Sequence, residues 1–296
     1  MRRLVRWLPL IVPVALAGGP LPAPEPPEIQ WRPALPLQGS LVVLAVRPSG
    51  RETAPLVTGT LAGEPLHFEA DSQGSFVALG GVPFETHDTI QLHVSVNGEE
   101  TVTPLPVAPR TVAYEALRTA PRFTRPPDSA LAARLERERA QVREVLESTH
   151  ATPRLWTPPF VRPRTSQIRS GFGLEREFND VLESRHMGVD FAGRRGAPVR
   201  AANRGAVALV EDLFYSGRTI YVDHGAGLLT AYMHLDRALV AKGDTVQRGQ
   251  LIGRVGATGR VTGPHLHWLA RYGDIVVDPL DLVTLAWPPF PGVAEP

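Results

Sequence analysis

A few side chains in the C-terminal half of this 296-residue sequence have the types and spacings that metal-assisted hydrolysis requires. RHMGVDF places His186 and Asp190 four residues apart. An even spacing points both to one side of a strand. A helix would also bring them together, but Gly188, Val189 and the following AGRRGAP favour extended structure. An imidazole and a carboxylate are suitable zinc ligands, although such a pair alone often arises by chance. TGPHLHW sets His265 and His267 two apart, on one face of a strand, with Leu266 and Trp268 turned toward a core. Two surface histidines on an edge strand would look the same. TAYMHLD adds His234, and VDHGAG adds His224, which is expected to serve its glycine turn or pack nearby. A catalytic zinc usually has three protein ligands and one open position. Two histidines and one carboxylate meet that count. Two more histidines remain to move a proton and to stabilise an oxyanion. The sequence has no H-E-x-x-H and no G-x-S-x-G, so helical zinc proteases and serine hydrolases find no support.

Composition narrows the chemistry further. There are no cysteines, which excludes disulfides, thiolate metal sites, cysteine nucleophiles and lipid attachment at an N-terminal cysteine. The net charge of +1 gives no reason to expect nucleic acid or an acidic membrane surface as partner. Arg2 and Arg3, an apolar run from Leu8 to Leu16 and Ala15-Leu16-Ala17 form a secretory signal pattern over 1–17. The run is too short to span a bilayer comfortably. The expectation is an exported protein, periplasmic or extracellular, with no stable membrane anchor after cleavage.

The elements that must hold the site read as mainly β. A proline-rich stretch over 18–39 is expected to be an extended, unpacked linker. Over 40–110, the runs SLVVLAV, PLHFEA and SFVALGG predict a small, immunoglobulin-like β-sandwich. Within it, Ile90, Leu92, Val94 and Val96 alternate along Thr89 to Val96, and Asn97-Gly98 supplies a tight hairpin turn. His67, His87 and His93 are too scattered to argue for a second metal site. Residues 111–152 form a connector with a helix at about 129–148, capped by Asp128-Ser129 and striped by Leu131, Leu135, Val142 and Leu146. That helix reads as packing or spacer, with a partner-binding role as the alternative. Glycine-punctuated short strands then predict a compact antiparallel β domain over 153–290.

The segment from about Ile168 to Pro279 resembles the lysostaphin-type (LytM-domain) zinc endopeptidases, which cut bacterial peptidoglycan. The resemblance rests on SGFGLEREFND, HMGVDFAG, GAPVRAANRGAV, VDHGAGLLTAYMHL, GDTVQRGQLIGRVGATGRVTGPHLHW and VDP, in the family's order. It implies zinc on His186, Asp190 and His267, with His234 and His265 as the catalytic histidines. His265 would help take a proton from water and His234 would stabilise the oxyanion, or the two would exchange roles. Asn179 lies where some relatives place an asparagine that approaches the metal in a latent form, although FND departs from the commoner pattern. Tyr232 could line the groove or pack.

The resemblance implies an endopeptidase acting on cross-links or stem peptides of peptidoglycan. Two alternatives stay open. One is a wall-binding activator of another murein hydrolase, without its own catalysis. The other is a zinc peptidase acting on proteins. A protein partner through the front β domain or the helix is compatible with each.

Overall fold

The computed structural model describes residues 25–49, 54–284 and 287. The signal pattern over 1–17, the first part of the proline-rich stretch and the end of the 153–290 segment lie outside these residues. The architecture is mainly β, as the strand patterns predict. No helix among the described residues is long and apolar enough to cross a membrane.

Two small antiparallel sheets form the front. One orders Glu28–Arg32, Leu41–Arg47, Phe76–Gly81 and Glu69–Ala70; the other orders Glu64–Pro65, Val57–Leu61, Thr89–Val96 and Glu99–Pro106. Leu44, Val46, Leu61, Leu92, Val94 and Leu105 pack between them. The alternation along Thr89–Val96 is therefore real: Leu92 and Val94 are buried, and Ile90 and Val96 join the same core. Asn97 and Gly98 turn the hairpin with φ of 52° and 88°, the left-handed pair that a two-residue loop favours.

The run LVVLAVR has a second message. Val42, Leu44 and Val46 face the front core, whereas Leu41, Val43 and Ala45 face the core of the C-terminal half. A strand buried on both faces reads as continuous rather than alternating hydrophobicity. Gly81 marks the close approach, since a Cβ there would meet Tyr272 and Ile275 at 3.2 Å. The front sheet is thus the middle layer of the molecule.

The proline-rich stretch is not wholly an unpacked linker. Glu28–Arg32 pairs antiparallel with Leu41–Arg47, and Ile29 and Trp31 pack on the front core. These five residues contain no proline, so their backbone N–H groups are free to join a sheet. The connector also holds a strand, Tyr114–Leu117, which runs parallel to Glu175–Phe178. The helix spans Ser129–Thr149, and the Asp128 carboxylate accepts a hydrogen bond from the Leu131 N–H at 2.8 Å. Its buried Leu135, Val145 and Leu146 line one side of the helix, and Val145 and Leu146 pack on Leu213, Tyr221, Leu229 and Met233 of the large sheet.

That sheet is antiparallel, in the order Ile168–Ser170, Val189–Ala192, His265–Tyr272, Leu228–Ala238, Gly217–Gly225, Gly205–Leu213 and Thr245–Val246. Val189–Ala192, His265–Tyr272 and Leu228–Ala238 are adjacent, and the candidate site is built on them.

Candidate metal centre

Strand register brings two of the candidate residues face to face. Asp190 sits opposite His267, and Met233 sits opposite His267 on the other side. His265 and His267 share a face, while Leu266 and Trp268 are fully buried in the core behind. The period of two works here as expected.

His186 reaches the same place by another route. It lies beyond the strand Leu182–Arg185, and a bend at Gly188 precedes Val189–Ala192. HMGVD is therefore a bend between two strands, not one continuous strand. A side chain at Gly188 would stand 2.5 Å from His267 Nε2 and 2.7 Å from the Trp268 carbonyl oxygen. Only a glycine lets this backbone press against His267.

The ligand atoms converge. His186 Nε2 is 3.1 Å from Asp190 Oδ1 and 2.9 Å from His267 Nδ1, and His267 Nδ1 is 2.8 Å from Asp190 Oδ1. Tetrahedral zinc with bonds of ~2.0–2.1 Å would need separations of about 3.3 Å, so a small outward adjustment accommodates the ion. Among the described residues, His186, Asp190 and His267 form the one group able to hold a metal. All three are buried. His186 Nδ1 donates to the Gly171 carbonyl at 2.6 Å, which leaves Nε2 as the lone-pair nitrogen.

Protonation suits metal binding as well. Burial pushes His267 down to about 4, against a partial offset from Asp190. Burial alone would raise the Asp190 carboxyl, but its close contacts with the His186 and His267 rings outweigh it and hold the group well below the usual carboxylate range. A neutral imidazole beside an ionised carboxylate is the state a metal requires.

His234 and His265 stand beside this cluster. The His234 ring lies 4.9 Å from that of His265 and 6.0 Å from that of His267, and His265 Nε2 is 3.6 Å from Asp190 Oδ1. His234 is in its strand, but at a bulge: the register shifts between Arg218 and Ile220, and His234 has φ of 61°. A bulge re-aims a side chain that regular pleating would direct elsewhere. His234 Nδ1 donates to the Thr258 carbonyl at 2.9 Å, and His265 Nδ1 to the Gly263 carbonyl at 2.8 Å. A carbonyl only accepts, so in both rings Nε2 keeps the lone pair. Burial first, then the charges of His265 and His267, hold His234 well below its ordinary value.

Three other residues fall elsewhere. The side-chain amide of Asn179 is occupied by the connector: it accepts from Thr119 N–H at 2.9 Å and donates to the Thr119 carbonyl at 3.0 Å. Asn179 has φ of 55°, and its amide also donates to Thr124 Oγ1 at 3.2 Å, so the side chain is engaged with the connector and is not part of the converging ligand group. Tyr232 is fully buried and accepts from the Ala202 N–H at 2.8 Å; it packs and does not line a groove. His224 is fully buried between the Arg204 carbonyl and the Thr230 hydroxyl, and burial pushes it down to about 4.

No motif announces what supports Asp190. Arg176 donates to Asp190 Oδ2 at 2.7 Å, to Ser170 Oγ at 2.7 Å and to Glu115 at 3.0 Å. Tying up Oδ2 leaves Oδ1 as the oxygen facing the two imidazoles. Arg176 sits in GLEREF among ordinary charges, and Glu115 is 61 residues from it. No local pattern marks either.

Residues 184–279 match Peptidase family M23. The peptidoglycan DD-endopeptidase ShyB of Vibrio cholerae is 45% identical over 105 residues, 34% of this chain and 24% of the relative. The DD-carboxypeptidase/endopeptidase Mpg of Neisseria meningitidis is 39% identical over 119 residues, 40% of this chain and 27% of the relative. The matched stretch thus spans about a quarter of each of these relatives. A crystal structure of a candidate M23 peptidase from Pseudomonas aeruginosa is 28% identical with a TM-score of 0.65, covering 84% of this chain and 95% of its own. Its likeness extends across the front sheets as well as the large one.

Proposed function

Starting from a chain that carries an M23 peptidase domain, we propose that it is a zinc-dependent endopeptidase hydrolysing peptide bonds in bacterial peptidoglycan, in cross-links or stem peptides, outside the cytoplasm. The observation that carries this is the convergence of His186 Nε2, Asp190 Oδ1 and His267 Nδ1 beside two further imidazoles. The peptidoglycan substrate rests on the named activities of the relatives ShyB and Mpg.

Zinc held by those three atoms would polarise the scissile carbonyl and make water a better nucleophile at neutral pH. The chain's own groups do the rest. His265 presents its Nε2 lone pair next to the ligand cluster and accepts the proton that water gives up. His234 Nε2 is likewise an acceptor while the ring is neutral, so its stabilisation of the oxyanion requires a prior proton. A proton passed between the adjacent rings makes it a donor at the moment negative charge develops. Arg176 keeps Asp190 oriented throughout by holding its Oδ2. An intact ligand set of this kind gives the non-enzymatic activator no support.

The test is digestion of purified peptidoglycan by zinc-loaded protein, with release of new amino groups as the readout. Activity should vanish with a chelator, return with zinc and be absent in Asp190→Ala. Cross-linked muropeptides left intact by zinc-loaded protein would reject the proposal, and cleavage of proteins instead of peptidoglycan would move the activity to the proteinaceous substrate.

A further inference from the structure

Of the four arginines that line the cleft beside the candidate centre, Arg169, Arg176, Arg185 and Arg260, only Arg176 and Arg260 line both of its parts, and these two are in opposite states. Arg176 has spent its donors on Asp190, Ser170 and Glu115. Arg260 has not. Its guanidinium carbon lies 4.3 Å from the ring centre of Phe178 and 5.3 Å from that of Tyr215. Among the described residues, its side chain has no carboxylate or carbonyl partner, and its backbone N–H alone is engaged, with the Tyr215 carbonyl at 2.8 Å. Aromatic contact steadies the guanidinium and leaves its N–H donors for something else.

The position is built. Gly259 has φ of 76°, and a Cβ there would lie 2.4 Å from Gly217 N and 2.5 Å from the Tyr215 carbonyl oxygen. The loop carrying Arg260 is therefore pressed onto the Tyr215–Gly217 turn. One part of the cleft is lined by Arg260 with His186, His234 and His267; the other by Arg260 with Asp190, His234 and His265. Burial disfavours its charged form; Tyr215 offsets part of this, and the neighbouring Arg176 adds to it. A half-desolvated cation without a partner is costly, and a planar anion relieves it through two parallel N–H···O bonds.

Building on the endopeptidase proposal, we infer that Arg260 is a specificity-determining residue that receives a free carboxylate of the peptide substrate next to the scissile bond. Two sources on a stem peptide share that chemistry: the free chain end and the α-carboxylate of a γ-linked D-glutamate. Arg176 cannot substitute, because Asp190 and Glu115 already hold it.

The experiment uses zinc-loaded full-length protein and the peptide L-Ala-γ-D-Glu-L-Lys-D-Ala-D-Ala. Calorimetry compares it with two analogues, one amidated at the chain end and one carrying isoglutamine for isoglutamate. The acid should bind at least ~10-fold more tightly than one of the amides, and the analogue that loses affinity identifies the source. In Arg260→Gln the preference should fall close to parity, and in Arg260→Lys it should be intermediate, with both variants checked for an unchanged melting temperature. A carboxylate preference created by zinc would survive in Arg260→Gln, and that result overturns the inference. So does equal binding of all three peptides by the unaltered protein. Digestion of peptidoglycan is scored separately. Loss of the Arg260 effect with digestion intact removes this inference alone, whereas an Arg260-dependent preference without digestion removes the proposed reaction and leaves the carboxylate site standing.

Discussion

The molecule brings two imidazoles and a carboxylate together twice. At the candidate centre, His186, His267 and Asp190 turn one atom each toward a common point, with separations of 2.8–3.1 Å. Between the front sheets and the large sheet, His67, His150 and Glu64 form a line: His67 Nε2 is 2.8 Å from His150 Nδ1, and His150 Nε2 is 2.9 Å from Glu64 Oε2. His150 uses both nitrogens, so no shared point remains for an ion. Glu64 also accepts the Asp274 N–H at 2.8 Å, which ties the front to a turn of the large sheet. The same three residue types thus give a candidate metal site when they converge and a tie between layers when they relay. Residue type proposes the chemistry, and the direction of the lone pairs decides it.

The largest effect should come from breaking convergence. His267→Ala is expected to lose stoichiometric zinc and all detectable hydrolysis. His150→Ala should retain the zinc content of the unaltered protein. Elemental analysis after dialysis reads both, and equal loss in the two variants would erase the distinction between the clusters.

Next comes the pair beside the centre. His234→Ala and His265→Ala should each lower kcat by about 10²–10⁴-fold while keeping zinc. A proton passed between the rings predicts that the double variant is little worse than the worse single one. Additive losses in the logarithm of kcat would show that the two histidines act independently.

The relay should register in stability instead. Glu64→Gln removes the negative charge from the acceptor of a charge-assisted bond at a site whose carboxylate side chain is 15% exposed. A loss of about 1–2 kcal/mol in chemical denaturation is expected, with zinc content unchanged. A neutral result would mean that the apolar contacts of Leu41, Val43 and Gly81 hold the layers together without help from the relay.

How much of this was legible in the sequence depended on distance along the chain. His265 and His267 could be placed on one face because a strand's period is local, and Asn97-Gly98 could be placed in a turn for the same reason. The apolar run LVVLAV was visible as a strand, although its burial on both faces and the core each face meets were not. The bend at Gly188 and the bulge at His234 depend on contacts with Trp268, His267 and Ser216 that no local pattern announces. Glu115 reached the site on a strand added from the connector, and His150 became half of an inter-layer tie although it follows an ordinary helix. Proline density hid the strand Glu28–Arg32, since its partner is supplied from further along the chain.

The smallest effect is a pH dependence carried by the relay. Burial, then the charge of His150, lowers His67 below its ordinary value, and Glu69 offsets part of this. Glu69 is itself held by Arg154 at 2.5 Å, so its help is divided. With the folded-state value depressed, the unfolded chain takes a proton first as pH falls. Stability from the neutral ring is therefore complete above about 6.5 and is lost between there and the lowered folded value. His67→Gln removes that titration. Denaturation of both proteins at pH 7.5, 6.5 and 5.5 should show the unaltered chain losing more stability on acidification than the variant. Any release of bound metal at low pH would be common to the two and would cancel in the comparison. Parallel curves would show that the His67 proton is not linked to folding, and the relay would then be a geometric tie without electrostatic consequence.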